Sequence, residues 1–116
     1  MPAMQARFLV SESDVAAYRA AIGLAGNAVP SGFLMRLLAD AEVLAWLRGL
    51  FGARIPIHIK QACEIVTPLR AGQTYDVALS CADPSLATPV LTMQASLDGA
   101  LSLNLAVTFA LIEAKL

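Results

Sequence analysis

Histidine, cysteine and charge are all scarce in this sequence. Its 116 residues include a single histidine, His58, and two cysteines, Cys63 and Cys81. Two cysteines are too few for a disulfide framework or a four-ligand zinc site, so we expect no structural metal. Eight basic residues against nine acidic residues give a net charge of −1. The basic surface typical of a nucleic-acid-binding protein is therefore missing.

Long apolar runs are missing as well. The longest segment without a charged residue, 20–35, contains glycines and a proline and is shorter than the ~18 residues that a membrane-spanning helix needs. The N-terminus lacks the pattern of a signal peptide. We therefore expect a cytoplasmic protein that does not bind membranes, and the length predicts one domain over residues 1–116.

Apolar residues, by contrast, are abundant. They make up 58% of the chain, the mean hydropathy is +0.66, and only 15% of the residues are charged. A chain this apolar is not disordered, because it can form a substantial core. A small domain has a large surface, and this few charged residues leave part of that surface apolar. We therefore expect a second subunit to cover the apolar part.

The first half of the chain has helical spacing. A short strand over Arg7–Val10 precedes a helix that begins near Ser11 or Ser13 and ends at Gly23, where the residues of a loop follow up to Pro30. A second helix is predicted from Ser31 to Leu50. Apolar residues occur on most of its faces, which is typical of a central helix enclosed by other elements.

The second half alternates with the period of strands. From Ile57, the apolar odd positions and Gln61 are predicted to share one face, with His58 on the other. Similar alternation covers 75–81, 91–97 and 101–111, and Asp98–Gly99 predicts a two-residue hairpin turn. The sequence therefore predicts an α+β fold in which an antiparallel sheet curls around a long central apolar helix.

Several local patterns resemble the MaoC-like acyl dehydratases, the family of (R)-specific enoyl-CoA hydratases, which have the hot-dog fold. The matching segments are Ser13–Val15 with Tyr18 and Gly23, Pro30–Leu34, IHIKQACEIVTPLRAG over 57–72, Asp98–Gly99, and the last strand Val107–Ile112. The resemblance covers about residues 7–112. It implies a hot-dog domain, typically a dimer or a pair of such domains.

The resemblance also implies a substrate class. Members bind acyl thioesters of coenzyme A or acyl carrier protein, and active members hydrate trans-2-enoyl thioesters without another cofactor. Their proton transfer uses an Asp-x4-His pair, yet the loop Gly23–Pro30 contains neither Asp nor His. The resemblance, together with the missing pair, therefore implies a domain that binds acyl thioesters but has impaired catalysis by itself, or a non-catalytic subunit of a heterodimer. The alternatives are an active hydratase with non-standard groups and a hot-dog thioesterase.

Four residues are candidates for contact with the thioester. Gln61 interrupts an apolar strand face, so its amide either bonds the central helix or contacts substrate. Ser31 and Gly32 open that helix, and their N–H groups either cap it or bind a carbonyl oxygen. His58 is assigned to a surface or interface, with substrate binding as the alternative.

Asp40 is the only catalytic candidate. Arg36 lies one turn earlier, and a mutual ion pair is the simplest account of this carboxylate within an apolar helix. The alternatives are a desolvated carboxylate that acts as an acid or base near the thioester, and a carboxylate simply exposed on the surface. Both cysteines are predicted to be small core residues.

Overall fold

Five antiparallel strands and three helical segments make up the part of the chain that the structure describes, residues 2–23 and 28–113 of a computed structural model. The strand order across the sheet is β1-β3-β4-β5-β2, so β1 and β2 form its edges. In chain order the elements are β1 (Ala3–Leu9), α1 (Glu12–Ala21), a 3₁₀ helix (Ser31–Ala39), α2 (Ala41–Phe51), β2 (Ile55–Ile65), β3 (Thr74–Cys81), β4 (Val90–Leu97) and β5 (Ala100–Ile112).

The core lies between one face of the sheet and the helices. Buried side chains alternate along the three central strands, as the sequence predicts, and they meet buried side chains of the helical segments. The strands contribute Tyr75, Val77, Leu79, Cys81, Leu91, Met93, Ala95, Leu103, Leu105, Val107 and Phe109, and the helices contribute Val15, Phe33, Leu34, Leu37, Val43, Leu47 and Phe51. We call this side of the sheet its helix face and the opposite side its outer face.

The local signals of the first helix and the last hairpin are confirmed. The Ser11 side chain accepts a hydrogen bond from the N–H of Asp14 at 3.4 Å, which caps α1. Between β4 and β5, Asp98 has φ 52° and Gly99 has φ 82°. Two positive φ angles are what a two-residue hairpin turn requires.

The predicted continuous helix from Ser31 to Leu50 is wrong, because it is interrupted at Asp40. Asp40 is extended, with ψ 136°, and separates the 3₁₀ helix from α2. Its carboxylate accepts hydrogen bonds from the N–H groups of Glu42 at 3.0 Å and Val43 at 3.2 Å. Asp40 is therefore the N-cap of a new helix rather than a residue inside one.

The predicted ion pair between Arg36 and Asp40 is also wrong. The interruption removes the regular helical spacing on which that pair depended. The guanidinium of Arg36 instead lies 5.2 Å from the centre of the Phe33 ring, a cation–π distance.

A β-bulge in β2 changes the predicted relation between the residues before it and those after it. His58 pairs with Phe109 and Lys60 pairs with Thr108, so Ile59 is an extra residue without a partner on β5. One extra residue exchanges the two faces of the strand beyond it. His58 and Gln61 therefore lie on the same helix face, contrary to the sequence prediction.

All eleven residues of β2 are exposed. Cys63 pairs with buried Leu105 and so faces the helix side, but it is exposed in the described part of the chain. The prediction of a core position holds for Cys81 and is wrong for Cys63. The reason is topological, because β2 is an edge strand of the sheet.

Arg54 fixes the connection between β3 and β4 to the end of α2. Its guanidinium donates hydrogen bonds to the carbonyl oxygens of Pro84 at 2.7 Å, Ser85 at 3.3 Å and Leu86 at 3.4 Å. None of the helices in residues 2–23 and 28–113 is long and apolar enough to cross a membrane.

Candidate functional site

The start of the 3₁₀ helix meets the helix face of β2 at Gly32. A Cβ atom built on Gly32 would lie 3.7 Å from the hydroxyl oxygen of Tyr18 and 3.8 Å from Nε2 of Gln61. The absence of a side chain at Gly32 therefore leaves a space that a hydroxyl and an amide both border. We call Tyr18, Gly32 and Gln61 the Gly32 cradle.

Ring packing positions the Tyr18 hydroxyl. Tyr18 is half-buried on α1, and its ring meets the Phe33 ring edge-on with 5.6 Å between their centres. Phe33 is itself buried and also packs against Phe8, at 5.7 Å. These contacts hold the Tyr18 ring on the first turn of the 3₁₀ helix.

The sequence does not single out Tyr18 as a functional residue. In the sequence, Tyr18 is only an apolar position at helical spacing and part of the family pattern. A tyrosine on the inward side of a helix carries a hydroxyl that needs a polar environment, and that was the signal available.

Gln61 lies on the predicted side of the sheet but is more exposed than predicted. It pairs with Val107, whose side chain faces the core, so its amide points to the helix face. Within the described part of the chain, that amide makes no hydrogen bond, although the sequence predicts a satisfied buried group. Its N–H₂ group is therefore available to a ligand.

The Gly32 cradle offers donors for a carbonyl oxygen. The first N–H groups of a helix have no partner within it, and here the N–H of Phe33 bonds the Pro30 carbonyl at 3.0 Å. Among the described residues, the Tyr18 hydroxyl and the Gln61 amide both border the position that a Cβ of Gly32 would occupy. Donors directed at one oxygen stabilise negative charge on it.

The remaining predicted residues lie around or beyond the cradle. Ser31 begins the 3₁₀ helix, but its side chain is not among the parts that the structure describes. His58 shares the helix face with Gln61, and its ring contacts Phe109 with 6.4 Å between centres. His58 thus stands beside the cradle along β2, and the structure does not bring it into contact with Tyr18 or Gly32.

Asp40 is at the opposite end of the 3₁₀ helix from Gly32. Eight residues separate them, which is about 16 Å at the ~2.0 Å rise per residue of such a helix. Asp40 lines a shallow surface depression of about 460 Å³. The other lining residues are Gln5, Ala6, Arg7, Glu42 and Asp76.

Part of the predicted loop lies outside the described residues. Residues 24–27 belong to the segment Gly23–Pro30, so the missing Asp-x4-His pair rests on the sequence alone. Among the residues that are described, no group of three or more His, Cys, Asp and Glu side chains is placed to hold a metal ion.

Comparisons with known proteins identify the architecture. No protein-family model matches the sequence, and no match was found among curated proteins. Among solved structures, the chain is similar to the Mycobacterium tuberculosis HadBC (3R-hydroxyacyl-ACP dehydratase) complex, with TM-score 0.76, 14% identity, and coverage of 92% of this chain and 95% of that chain. It is also similar to a hot-dog-like protein from Thermanaerovibrio acidaminovorans, with TM-score 0.71, 12% identity, and coverage of 97% and 82%.

The fold is that of the hot-dog proteins. A third similar structure is a hypothetical thioesterase from Streptococcus pneumoniae solved with coenzyme A, with TM-score 0.68, 12% identity, and coverage of 98% of this chain and 81% of that chain. At these identities the likeness establishes the fold and not the reaction. It confirms the α+β hot-dog class, while the central helix of this chain is divided at Asp40.

Proposed function

We propose that this chain is a hot-dog domain that binds acyl thioesters, with the thioester carbonyl at the Gly32 cradle. The observation that carries the proposal is the convergence of the Tyr18 hydroxyl and the Gln61 amide on the open Cα of Gly32. A thioester carbonyl oxygen accepts hydrogen bonds from such donors. Among the similar structures, one is a dehydratase for hydroxyacyl carrier protein and another was solved with coenzyme A, which supports this ligand class.

The proposed activity of the isolated domain is binding with little turnover. Hydration of an enoyl thioester needs an acid and a base that share a water. The Gly32 cradle supplies hydrogen-bond donors but no carboxylate, and Asp40 is about 16 Å away along the 3₁₀ helix. We therefore favour a MaoC-like domain that is catalytically impaired alone.

A second candidate function is a subunit that completes a catalytic hot-dog partner. The exposed strand β2 favours it, because a partner subunit would cover this edge of the sheet. The similar structure from M. tuberculosis is a complex, HadBC. In this role the chain would shape the acyl site, and the partner would supply the acid–base pair.

The binding site is tested by filling the cradle. Gly32→Ala places a methyl group at ordinary contact distance from Tyr18 and Gln61, so the chain should still fold while the space closes. Gly49→Ala is the matched control, since Gly49 is also helical but no atom lies within 4 Å of its added Cβ. We expect calorimetric titration with crotonyl-coenzyme A to show saturable binding to wild type and Gly49→Ala, and about tenfold weaker binding to Gly32→Ala.

Removing single donors gives a graded version of this test. Gln61→Ala and Tyr18→Phe each remove one hydrogen bond, worth ~0.5–1.5 kcal/mol, so each should weaken binding about three- to tenfold. Gln94→Ala is the control, because Gln94 pairs with Asn104 on the outer face. Equal affinity of all these variants for crotonyl-coenzyme A would show that the ligand binds away from the Gly32 cradle. No binding to the wild-type protein would refute the proposal for this ligand.

Product analysis of the same samples separates the alternatives. Hydration of crotonyl-coenzyme A by the wild-type protein would indicate an active hydratase, and release of a free thiol would indicate a thioesterase. Asp40→Asn then tests the carboxylate candidate in either reaction. The impaired domain proposed here would bind the thioester and leave it unchanged.

A further inference from the structure

Strand β1 forms the edge of the sheet opposite to β2. It bonds to β3 on one side, and in the described part of the chain no strand lies on its other side. Exposed and partly buried residues alternate along β1, and Leu9 at its end is 57% exposed. An open strand edge offers a row of unpaired N–H and C=O groups to another chain.

Hydrogen bonds at the two ends of β1 show which of its backbone groups are free. The N–H of Val10 bonds the carbonyl of Gln73, just before β3, at 2.9 Å. The carbonyl of Pro2 accepts a hydrogen bond from the N–H of Cys81, at the end of β3, at 3.0 Å. In an antiparallel pair the bonding direction alternates by residue. The odd-numbered residues therefore direct their N–H and C=O groups to the open edge, namely Ala3, Gln5, Arg7 and Leu9.

A groove runs along this open edge. Two adjoining surface depressions, of about 460 and 350 Å³, share Arg7 and Asp40 and extend along β1 from Gln5 to Leu9. The end of the 3₁₀ helix and the start of α2 form the opposite wall. We call the two depressions together the edge groove. From Gln5 to Leu9 a strand covers about 13 Å, at ~3.3 Å per residue, so the groove has room for a short extended segment.

Negative charge exceeds positive charge in the edge groove. Both arginines that line it are engaged. Arg7 forms an ion pair with Asp76 at 3.6 Å, and the guanidinium of Arg36 lies over the Phe33 ring. Three further carboxylates line the groove and form no ion pair with any residue that the structure describes, those of Asp14, Asp40 and Glu42. Basic side chains would therefore complement the charge beside the free backbone groups.

We propose that the edge groove binds an extended, basic segment of a protein partner, which adds a strand to the sheet beside β1. Backbone hydrogen bonds to Gln5, Arg7 and Leu9 hold the segment. Alternate side chains of the added strand point to the helix face, where Lys or Arg residues meet the free carboxylates. A second copy of this chain fits less well, because a two-fold pairing along β1 would bring two identical acidic grooves together. The site is separate from the Gly32 cradle, which lies at the β2 edge.

A proline substitution tests the backbone contacts. The probe is a capped peptide of about seven residues in which Lys and Val alternate. Gln5→Pro removes one edge N–H and leaves the bonds to β3 in place, because an edge strand tolerates proline where its N–H would face solvent. Gln5→Ala is the matched control, since it shortens the same side chain and keeps the N–H. We expect calorimetric titration to show saturable binding to wild type and Gln5→Ala, and about tenfold weaker binding to Gln5→Pro.

Neutral variants test the role of charge. Asp14→Asn and Glu42→Gln should each weaken binding of the peptide about two- to fivefold, the effect of losing an exposed ion pair. Glu64→Gln is the control, because Glu64 is an exposed carboxylate on β2 at the other edge of the sheet. A peptide with Glu in place of Lys should not bind. An equal effect of Glu64→Gln, or equal binding of the Glu peptide, would overturn the inference.

Amide hydrogen exchange shows whether the peptide pairs with β1. The N–H groups of Gln5, Arg7 and Leu9 should exchange rapidly in the free protein and slowly with the peptide bound, whereas those of Ala6 and Phe8, which bond towards β3, should be slow in both states. No binding to wild type, full affinity of Gln5→Pro, or unchanged exchange along the edge would overturn the inference. So would self-association of the wild-type protein that Gln5→Pro abolishes in sedimentation velocity, because the edge would then belong to a second copy.

Discussion

At the scale of single residues, one bulged position changes which residues of β2 lie on the same face of the sheet. Alternation from Ile57 onward predicts the presence of a strand correctly, yet it places His58 on the wrong face. The error comes from Ile59, which has no partner on β5, so that His58 before it and Gln61 after it share one face. A bulge depends on the pairing between two strands, so the pattern within one strand could not reveal it.

The two cysteines differ for the same kind of reason. Cys81 faces the core and is buried, whereas Cys63 occupies the equivalent face of an edge strand and is exposed. Burial raises the pKa of the Cys81 thiol, and a hydrogen bond with the Asp83 backbone opposes part of that change. A raised pKa leaves less of the reactive thiolate at any given pH, so Cys81 should be inert in the folded chain.

A single-thiol variant measures this difference. In Cys63→Ser, the remaining thiol should not react with a disulfide reagent at pH 8 under native conditions, and one full equivalent should react in denaturant. Cys81→Ala is the control and should react natively through Cys63. Rapid native reaction of the Cys63→Ser protein would mean that Cys81 is accessible, contrary to its burial.

At the scale of elements, most of the secondary structure could be predicted and the central helix could not. Helix α1, the hairpin at Asp98–Gly99 and the strands follow from caps, turn residues and alternation, which are local signals. The segment from Ser31 to Leu50 contains only helix-compatible residues after Gly32, so its spacing indicates one helix. Asp40 ends it because a carboxylate can cap a new helix as readily as it can sit on the surface of an old one.

The division of the helix predicts the effect of replacing Asp40. Asp40→Ala removes the acceptor for two N–H groups and should cost about 1 kcal/mol of unfolding free energy. Asp40→Asn keeps an acceptor and loses only the charge at the helix N-terminus, so its cost should be smaller. Urea denaturation of both variants against wild type measures the two values. Equal losses for Ala and Asn would show that the charge, and not the cap, stabilises this junction.

The candidate site combines predictable and unpredictable parts at this scale. Gly32 and Gln61 could be predicted as candidates, because a glycine at a helix start and an amide on an apolar strand face are visible in the sequence. Tyr18 could not, because its hydroxyl reaches the site only through packing of its ring on Phe33. The cradle is thus a product of tertiary contact among three elements that are distant in the chain.

At the scale of the whole molecule, five of the eleven large exposed apolar side chains in the described residues lie on β2 or directly after it. The composition predicts an additional subunit without locating its surface, and the exposed residues of β2 indicate where it would bind. Burial of apolar surface and new backbone hydrogen bonds would both stabilise such a contact. A folded monomer would have to keep eleven consecutive edge residues in water.

This placement makes the stability of the protein depend on its concentration. If two folded copies associate through β2 and the unfolded chains do not, each tenfold rise in concentration stabilises the dimer by about 1.4 kcal/mol. The midpoint of urea denaturation should therefore rise between ~1 and ~100 µM protein. A wild-type midpoint that is independent of concentration would show that the exposed edge is stable in a monomer.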